Sequence, residues 1–279
     1  MKKRIIASAL LCLSMVAALP TVAAAADSTE AEGPSGAGVY IDGTRKDFTG
    51  QPFILHDATY VSIRETSMAL GATDVSWVNG VVTVTAPGLT ITAVPGSYYI
   101  VANGRYLFIP DQCMFINDEV MVPIRTLAEA FGDTVVWNSD TGAVTVTASS
   151  GPIASGDQYY SSSDVYWLSR LIMAEAGNQP FLGKIAVGNV VMNRVASPQF
   201  PDTVYGVIFD KRNGSIQFTT AYSGAIHNTP SNDCVVAAKI ALDGGNVTDN
   251  SLYFASTTHC WAAKTQTYTM KIGNHTFYA

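Results

Sequence analysis

The run SDVYWLSRLIMAEAG, residues 163–177, is strongly apolar and sets one carboxylate, Glu175, near its C-terminal end. An acid held among apolar side chains resists ionisation, and a carboxyl that stays protonated near neutral pH can donate a proton to a leaving oxygen. The register favours such a place. Val165, Leu168, Leu171 and Ile172 recur at spacings of three and four, the stripe of a helix that Ser163 would cap and Gly177 would end. Glu175 lies four residues after Leu171 and three after Ile172, so it continues the packed stripe and turns away from Arg170. In the last helical turn the negative end of the helix dipole acts with burial, and both raise the pKa. Position alone leaves a second reading open, in which the side chain bends to solvent or pairs with Arg170 or Arg194.

The elements that must position this acid follow it. PFLGKIAVGNVVMNRV is apolar nearly all round and predicts a central buried helix; TVYGVIF predicts a short one. An irregular stretch, NGSIQFTTAYSGAIHNTP, leads to a helix from about Asp233 to Leu242, capped by Asn232 and stopped by Gly244. The chain then predicts a strand at SLYF and a hairpin turning at Gly273-Asn274. Of the other acids, Asp164 and Asp233 start helices, Asp243 ends one and Asp249 sits in a turn, which leaves Asp202 and Asp210 as possible second carboxylates.

The ordered segments RLIMAEAGNQPFLGKIAVGNVVMNRVASPQFPDTVYGVI, QFT, AAKIALDGG, SLYF and KIGNHTFY cover nearly all of residues 164–279. Together they resemble the spore cortex-lytic, SleB-type cell wall hydrolase family. The resemblance implies a mainly helical, lysozyme-like domain related to lytic transglycosylases, with a small C-terminal β-hairpin and Glu175 as the catalytic acid. It places Asn193, Gln217, Thr219, Tyr253 and His275 at sugar-binding positions, and it implies peptidoglycan as partner, with no cofactor and no metal. The implied reaction cleaves between N-acetylmuramic acid and N-acetylglucosamine and closes the muramoyl C6 hydroxyl onto C1, which needs no nucleophilic carboxylate. Spore cortex and vegetative wall both remain open as substrate. His259 and Trp261, in STTHCWAAKTQTY, receive no role.

The first half contains a repeat. YVSIRETSMALGATDVSWVNGVVTVTA (60–86) matches MVPIRTLAEAFGDTVVWNSDTGAVTVTA (121–148), aligning Arg64 with Arg125, Gly71 with Gly132 and Trp77 with Trp137. Each copy predicts strand, short helix, strand, turn, strand, and VYIDGT and YIVANGR supply a hairpin ahead of each. This pattern resembles the copper amine oxidase N-terminal-like stalk module of exported bacterial proteins, an α+β, β-rich unit. Copper is not implied, because His56 is the region's one histidine. The repeated arginines are expected to bond turn carbonyls and the tryptophans to fill the core, with the module serving attachment or spacing.

The chain as a whole reads as multidomain: a signal peptide over 1–26, a linker over 27–37, the stalk module over 38–148, a Ser/Gly-rich linker over 149–162 and the hydrolase domain over 163–279. The mature protein is then secreted and associated with the cell wall or spore cortex, with no membrane anchor after signal removal. A net charge of −6 argues against nucleic acid or an anionic membrane as partner. Once Cys12 leaves with the signal, Cys113, Cys234 and Cys260 remain; a Cys234–Cys260 bridge is open, with three reduced thiols the plainer reading. Rival functions are an N-acetylmuramoyl-L-alanine amidase, a cysteine peptidase and a non-catalytic wall-binding protein. Against the first two, His227, His259 and His275 stand apart without metal-ligand spacing, and neither Cys234 nor Cys260 lies in a nucleophile context.

Overall fold

The computed structural model describes residues 38–212, 214–257 and 259–279. The expected signal segment 1–26 and the linker 27–37 lie outside the described residues. A β-rich N-terminal region precedes a helical C-terminal one, each with its own apolar core.

In the first region β1 (Val39–Ile41), β2 (Thr44–Lys46), β3 (Phe53–Leu55) and β4 (Ala58–Ser62) lead into α1 (Ile63–Ala69), β5 (Asp74–Val78) and β6 (Val81–Ala86). After β7 (Leu89–Ala93), the order repeats as β8 (Tyr99–Ala102), β9 (Arg105–Phe108), β10 (Met114–Ile116), β11 (Glu119–Pro123), α2 (Ile124–Phe131), β12 (Thr134–Trp137) and β13 (Val144–Thr147). The predicted strand, helix, strand, strand order holds in both copies. Sheets run β12-β13-β1-β2, β10-β11-β4-β3 and β5-β6-β7-β8-β9. The copies meet on β4 and β11, where Val61 pairs with Val122, its own counterpart, and Ser62 with Met121 and Tyr60 with Pro123 are the flanking pairs. A local two-fold axis therefore passes between the two valines. Hairpins at Asp42-Gly43, Asn79-Gly80 and Asn103-Gly104 have positive φ at both central residues, as tight hairpin turns require.

The tryptophans depart from expectation. Trp77 is 44% exposed and Trp137 is 53% exposed, so neither fills the core. Both lie at or near the ends of edge strands, β5 and β12, beyond the buried Val75 and half-buried Val135 that do pack inward. The arginines do bond carbonyls, Nη1 of Arg64 donating to Val75 at 2.7 Å and Nη1 of Arg125 to Val135 at 3.4 Å, but on strands and not in turns.

Residues 149–162 are tied down along their length. The Ser150 amide donates to the Gly132 carbonyl, Ile153 to Ala130 and Gly156 to Asn103, and α3 (Gly156–Tyr159) follows. The two regions also pack directly, with Tyr99, Tyr106 and Phe108 of β8 and β9 against the helical core.

That core is built on α4 (Ser162–Ala176), α5 (Phe181–Ala196), α6 (Val204–Ile208) and α7 (Asn232–Leu242). Leu168, Leu171 and Ile172 of α4 are fully buried, each contributing roughly 2 kcal/mol by removal from water. The stripe is as predicted, but the cap is Ser161, whose Oγ accepts the Asp164 amide at 3.3 Å, which leaves Ser163 inside the first turn. Likewise Ser231, not Asn232, caps α7. The central helix α5 is buried on nearly every side; a Cβ at Gly188 would lie 2.9 Å from the Ala241 Cβ, so glycine lets α5 and α7 approach. Its buried polar side chains have partners within the domain: Lys184 Nζ reaches the Gln179 carbonyl at 2.6 Å, and Asn189 Nδ2 that of Gly245 at 2.6 Å.

The irregular stretch holds a two-stranded ribbon, β14 (Lys211–Arg212) with β15 (Ser215–Ile216), and 3-10 turns at Thr219–Ala221 and Ala225–His227. The C-terminal sheet has three strands: β16 (Tyr253–Ala255), then, after α8 (Trp261–Thr265), β17 (Tyr268–Ile272) and β18 (His275–Tyr278), in order β16-β18-β17. No helix among the described residues is long and apolar enough to cross a membrane.

Candidate active site

Glu175 sits in the last turn of α4, half-buried, with Leu171, Ile172 and Ala176 closed off from solvent around it. Its Oε1 accepts a hydrogen bond from the Thr220 hydroxyl at 2.5 Å. Among the described residues it makes no ion pair. Arg170 lies over the Tyr166 ring at 3.8 Å, and Arg194 donates from Nε to the Leu252 carbonyl at 2.7 Å, so neither arginine takes the salt-bridging place that position alone had left open. Burial holds the Glu175 pKa above the usual carboxylate range, and the Thr220 hydrogen bond pulls the other way with smaller effect. No second carboxylate contributes to that shift among the described residues. Asp202 is exposed and Asp210 half-buried at either end of α6.

Thr220 escaped the sequence reading, which chose its neighbour Thr219. Phe218 and Ala221 are buried three apart, the period of a 3-10 turn, and that spacing turns Thr220 toward α4 while Thr219 stays exposed. Gln217, half-buried, donates its amide to the Asp210 carbonyl at 3.3 Å. Asn193 Nδ2 donates to the carbonyls of Asp249 and Ser251 at 2.9 and 3.0 Å, tying the end of α5 to the loop before β16. Tyr253 stands edge-on to Trp261 at 5.3 Å. His275 is 6% exposed and packs against Phe254 at 5.0 Å; burial lowers its pKa, which favours the neutral ring.

None of those five residues hydrogen-bonds Glu175. Gln217 and Thr219 belong to the segment that presents Thr220, Tyr253 and His275 join the aromatic cluster around its Phe218, and Asn193 does neither. Arg194 is sandwiched near the rings of Phe200, Phe218 and Tyr253, at 4.9, 5.0 and 5.3 Å, and Phe254 bridges Phe218 to His275. This aromatic bed fixes Phe218, and Phe218 fixes the turn.

On the other side of that turn an aromatic strip reaches solvent. Tyr222, 41% exposed, packs on Phe209 at 5.8 Å and donates to its carbonyl at 2.6 Å. Phe209 continues to Trp167 and to Tyr205, which is 52% exposed. Tyr222, two residues after Thr220, thus exposes a ring that the sequence did not mark, because alternation and period say nothing inside irregular chain.

Cys113, Cys234 and Cys260, the cysteines among the described residues, are free. Cys234 is fully buried in α7 with its Sγ 3.8 Å from the Met173 sulfur, and burial pushes the Cys113 thiol up to about 11. Both are buried and lack the access of a nucleophile. No group of three or more His, Cys, Asp or Glu side chains able to hold a metal occurs among the described residues.

A family model described as Cell Wall Hydrolase matches residues 178–278, beginning just after Glu175, and one described as Copper amine oxidase N-terminal domain matches 40–146. The spore cortex-lytic enzyme of Bacillus cereus is 36% identical over 123 residues, 42% of this chain and 45% of that protein. That of Bacillus subtilis is 32% identical over 95 residues, 34% of this chain and 30% of that protein. The chain thus spans less than half the length of these curated relatives. Among solved structures, the catalytic domain of the germination-specific lytic transglycosylase SleB from Bacillus anthracis is 34% identical, with 46% of this chain and 100% of that one covered and a TM-score of 0.39. The catalytic domain of Bacillus cereus SleB is 35% identical, covering 43% and 92%, also at 0.39.

Proposed function

Since the chain belongs to the cell wall hydrolase family of the spore cortex-lytic enzymes, with a copper amine oxidase N-terminal domain ahead of the hydrolase domain, we propose that it is an exported lytic transglycosylase of peptidoglycan. Its substrate in this reading is the glycan strand of spore cortex, and its catalytic half is a lysozyme-like domain spanning 163–279. The observation that carries the chemistry is Glu175, desolvated on α4, with one hydroxyl partner and no ion pair among the described residues.

Protonated Glu175 donates its proton to the oxygen that links N-acetylmuramic acid to N-acetylglucosamine. The glycosidic bond breaks through an oxocarbenium-like state, and the N-acetylglucosamine hydroxyl leaves. The carboxylate so formed takes the proton from the muramoyl C6 hydroxyl as that oxygen bonds to C1, leaving a 1,6-anhydro end and the acid restored. Thr220, donating to Oε1, leaves Oε2 as the oxygen to carry the proton. Tyr222 and Tyr205 then offer stacking faces along the strand, while Tyr253 and His275 pack in the aromatic bed that supports Phe218, and Asn193 ties α5 to the loop before β16.

Mass spectrometry of sacculi and of cortex fragments after digestion tests the whole reading. Anhydro-muramic ends without loss of stem peptides are expected. Reducing muramic ends would make the enzyme a lysozyme, free stem peptides an amidase, and intact strands a binding protein.

A further inference from the structure

The N-terminal region holds two cavities in equivalent places, one of about 240 Å³ and one of about 210 Å³. Ile63, Arg64, Val75 and Trp77 line the first, and their repeat counterparts Ile124, Arg125, Val135 and Trp137 line the second. Each is completed by a turn of the opposite copy: Asp118 for the first and Asp57 for the second, again counterparts. Both aspartates are exposed and in the left-handed region, at φ 64 and 66. The local two-fold axis between Val61 and Val122 makes two grooves from one design.

Fold stability does not account for what the grooves display. Each indole is exposed, and each exposed arginine has one hydrogen bond, to the carbonyl of Val75 or Val135. Its remaining donors have no protein partner among the described residues. The first groove thus presents an apolar ring face between Arg64 and the acids Asp118 and Glu119, the second between Arg125 and Asp57. A charged ligand would meet a like charge at one wall, whereas a neutral pyranose offers C–H bonds to the indole and hydroxyl or acetamido groups to both flanks.

We propose that the two grooves bind sugar rings of one glycan strand, so that the N-terminal region is a bivalent glycan-binding module. That the strand is peptidoglycan rests on the function proposed for the C-terminal half. A repeating polymer engages both grooves at once, and the second contact is then intramolecular. The first groove is the stronger: Phe115 stacks with Trp77 at 5.7 Å and 25°, while the second has the half-buried Ile54 in the corresponding position.

The test is co-sedimentation of the full chain, carrying Glu175→Gln to prevent digestion, with purified sacculi and with glycan strands stripped of stem peptides. Trp77→Ala should weaken binding to both by about tenfold, Trp137→Ala by less, and the double variant by roughly 100-fold as avidity is lost. Trp77→Phe should restore most of the first loss. In the Glu175 background the double variant should digest short soluble glycan fragments at the parent rate and sacculi more slowly, with an unchanged melting temperature. Parent-like binding by a folded double variant overturns the proposal, as does parent binding that disappears when stem peptides are removed. A parent dimer that the double variant dissolves would assign the grooves to a second copy and also overturn it. Soluble fragments released by the Glu175→Gln chain would mark failure of the catalytic reading, whereas partition of the chain with glycan when no fragments are released reads the grooves alone.

Discussion

Two carboxyl groups in the helical half occupy matching places with opposite surroundings. Glu175 is in the last turn of α4 and Asp243 caps the C-terminal end of α7. Both are withdrawn from water beside the negative end of a helix. Glu175 is met by one hydroxyl, that of Thr220. Asp243, its side chain 1% exposed, is met by the Arg105 guanidinium, by the Tyr160 hydroxyl and by the Tyr106 amide at 3.3 Å. Burial alone would lower the Arg105 pKa, but the hydrogen bond and charge of Asp243 outweigh it and hold the guanidinium protonated. Burial and Asp243 together push the Tyr160 phenol up, so its proton stays in the cluster. Desolvation is common to both acids, and the supply of donors separates them. With few donors, burial raises the pKa of Glu175; with many, Asp243 joins the two halves of the molecule.

Glu175→Gln breaks the comparison on the chemical side and carries the largest expected effect. Loss of a general acid should cut dye release from labelled sacculi by about 10²–10⁴-fold. Stability should hold or rise, since the amide carries no charge to desolvate and keeps an oxygen for Thr220. The sign follows from linkage. A folded-state pKa raised above the unfolded value contributes stability below the unfolded value, and that contribution is lost as pH rises through the folded one. The parent's melting temperature should therefore fall relative to the variant over that interval. A Glu175→Gln protein that digests sacculi at the parent rate would end the single-acid mechanism.

How far these two acids were legible in the sequence differs for a physical reason. Glu175 was readable because its environment is local: a helical stripe of period 3.6 and the end of its own helix fix it. The repeat was readable too, and with it the strand and helix order around Arg64 and Arg125. Asp243 was read as a helix-end acid, yet its partners Arg105 and Tyr160 come from β9 and from a stretch read as a spacer. Nothing in a Ser/Gly-rich composition announces such pinning. Thr220 was missed by one residue because a 3-10 turn within irregular chain has no long period to read. The exposure of Trp77 and Trp137 was hidden for a third reason: an edge position depends on sheet order, which pattern alone does not supply.

Asp243→Ala breaks the comparison on the mechanical side. It leaves the Arg105 guanidinium, 11% exposed, without its partner, and loss of one member of a buried pair costs about 3–5 kcal/mol. Denaturant unfolding should show that loss, while turnover of short soluble glycan fragments per folded molecule stays near the parent value. Replacing both members, Arg105→Met with Asp243→Leu, should recover much of the stability, because no charge is then stranded. An Asp243→Ala protein that is fully folded but inactive would mean that the two acids do not divide the work as described.

Thr220→Val sharpens the comparison with the smallest expected effect. The Thr220 hydroxyl donates to Oε1, which favours the ionised carboxyl and offsets part of the burial that favours the protonated one. Removing it takes Glu175 further from Asp243 along the same axis, toward an acid with no donors at all. The Glu175 pKa should rise, so the alkaline limb of the pH–activity profile should move to higher pH, since proton donation fails only when the acid ionises. On the acid side of that limb the rate should drop by less than about tenfold, reflecting lost orientation of the carboxyl and not lost proton supply. Thr220→Ser, which keeps the hydroxyl, should return the limb to its parent position. A limb that stays put or moves to lower pH in Thr220→Val would show that this hydroxyl does not favour the ionised acid, and the scarcity of donors could then no longer explain the raised pKa of Glu175.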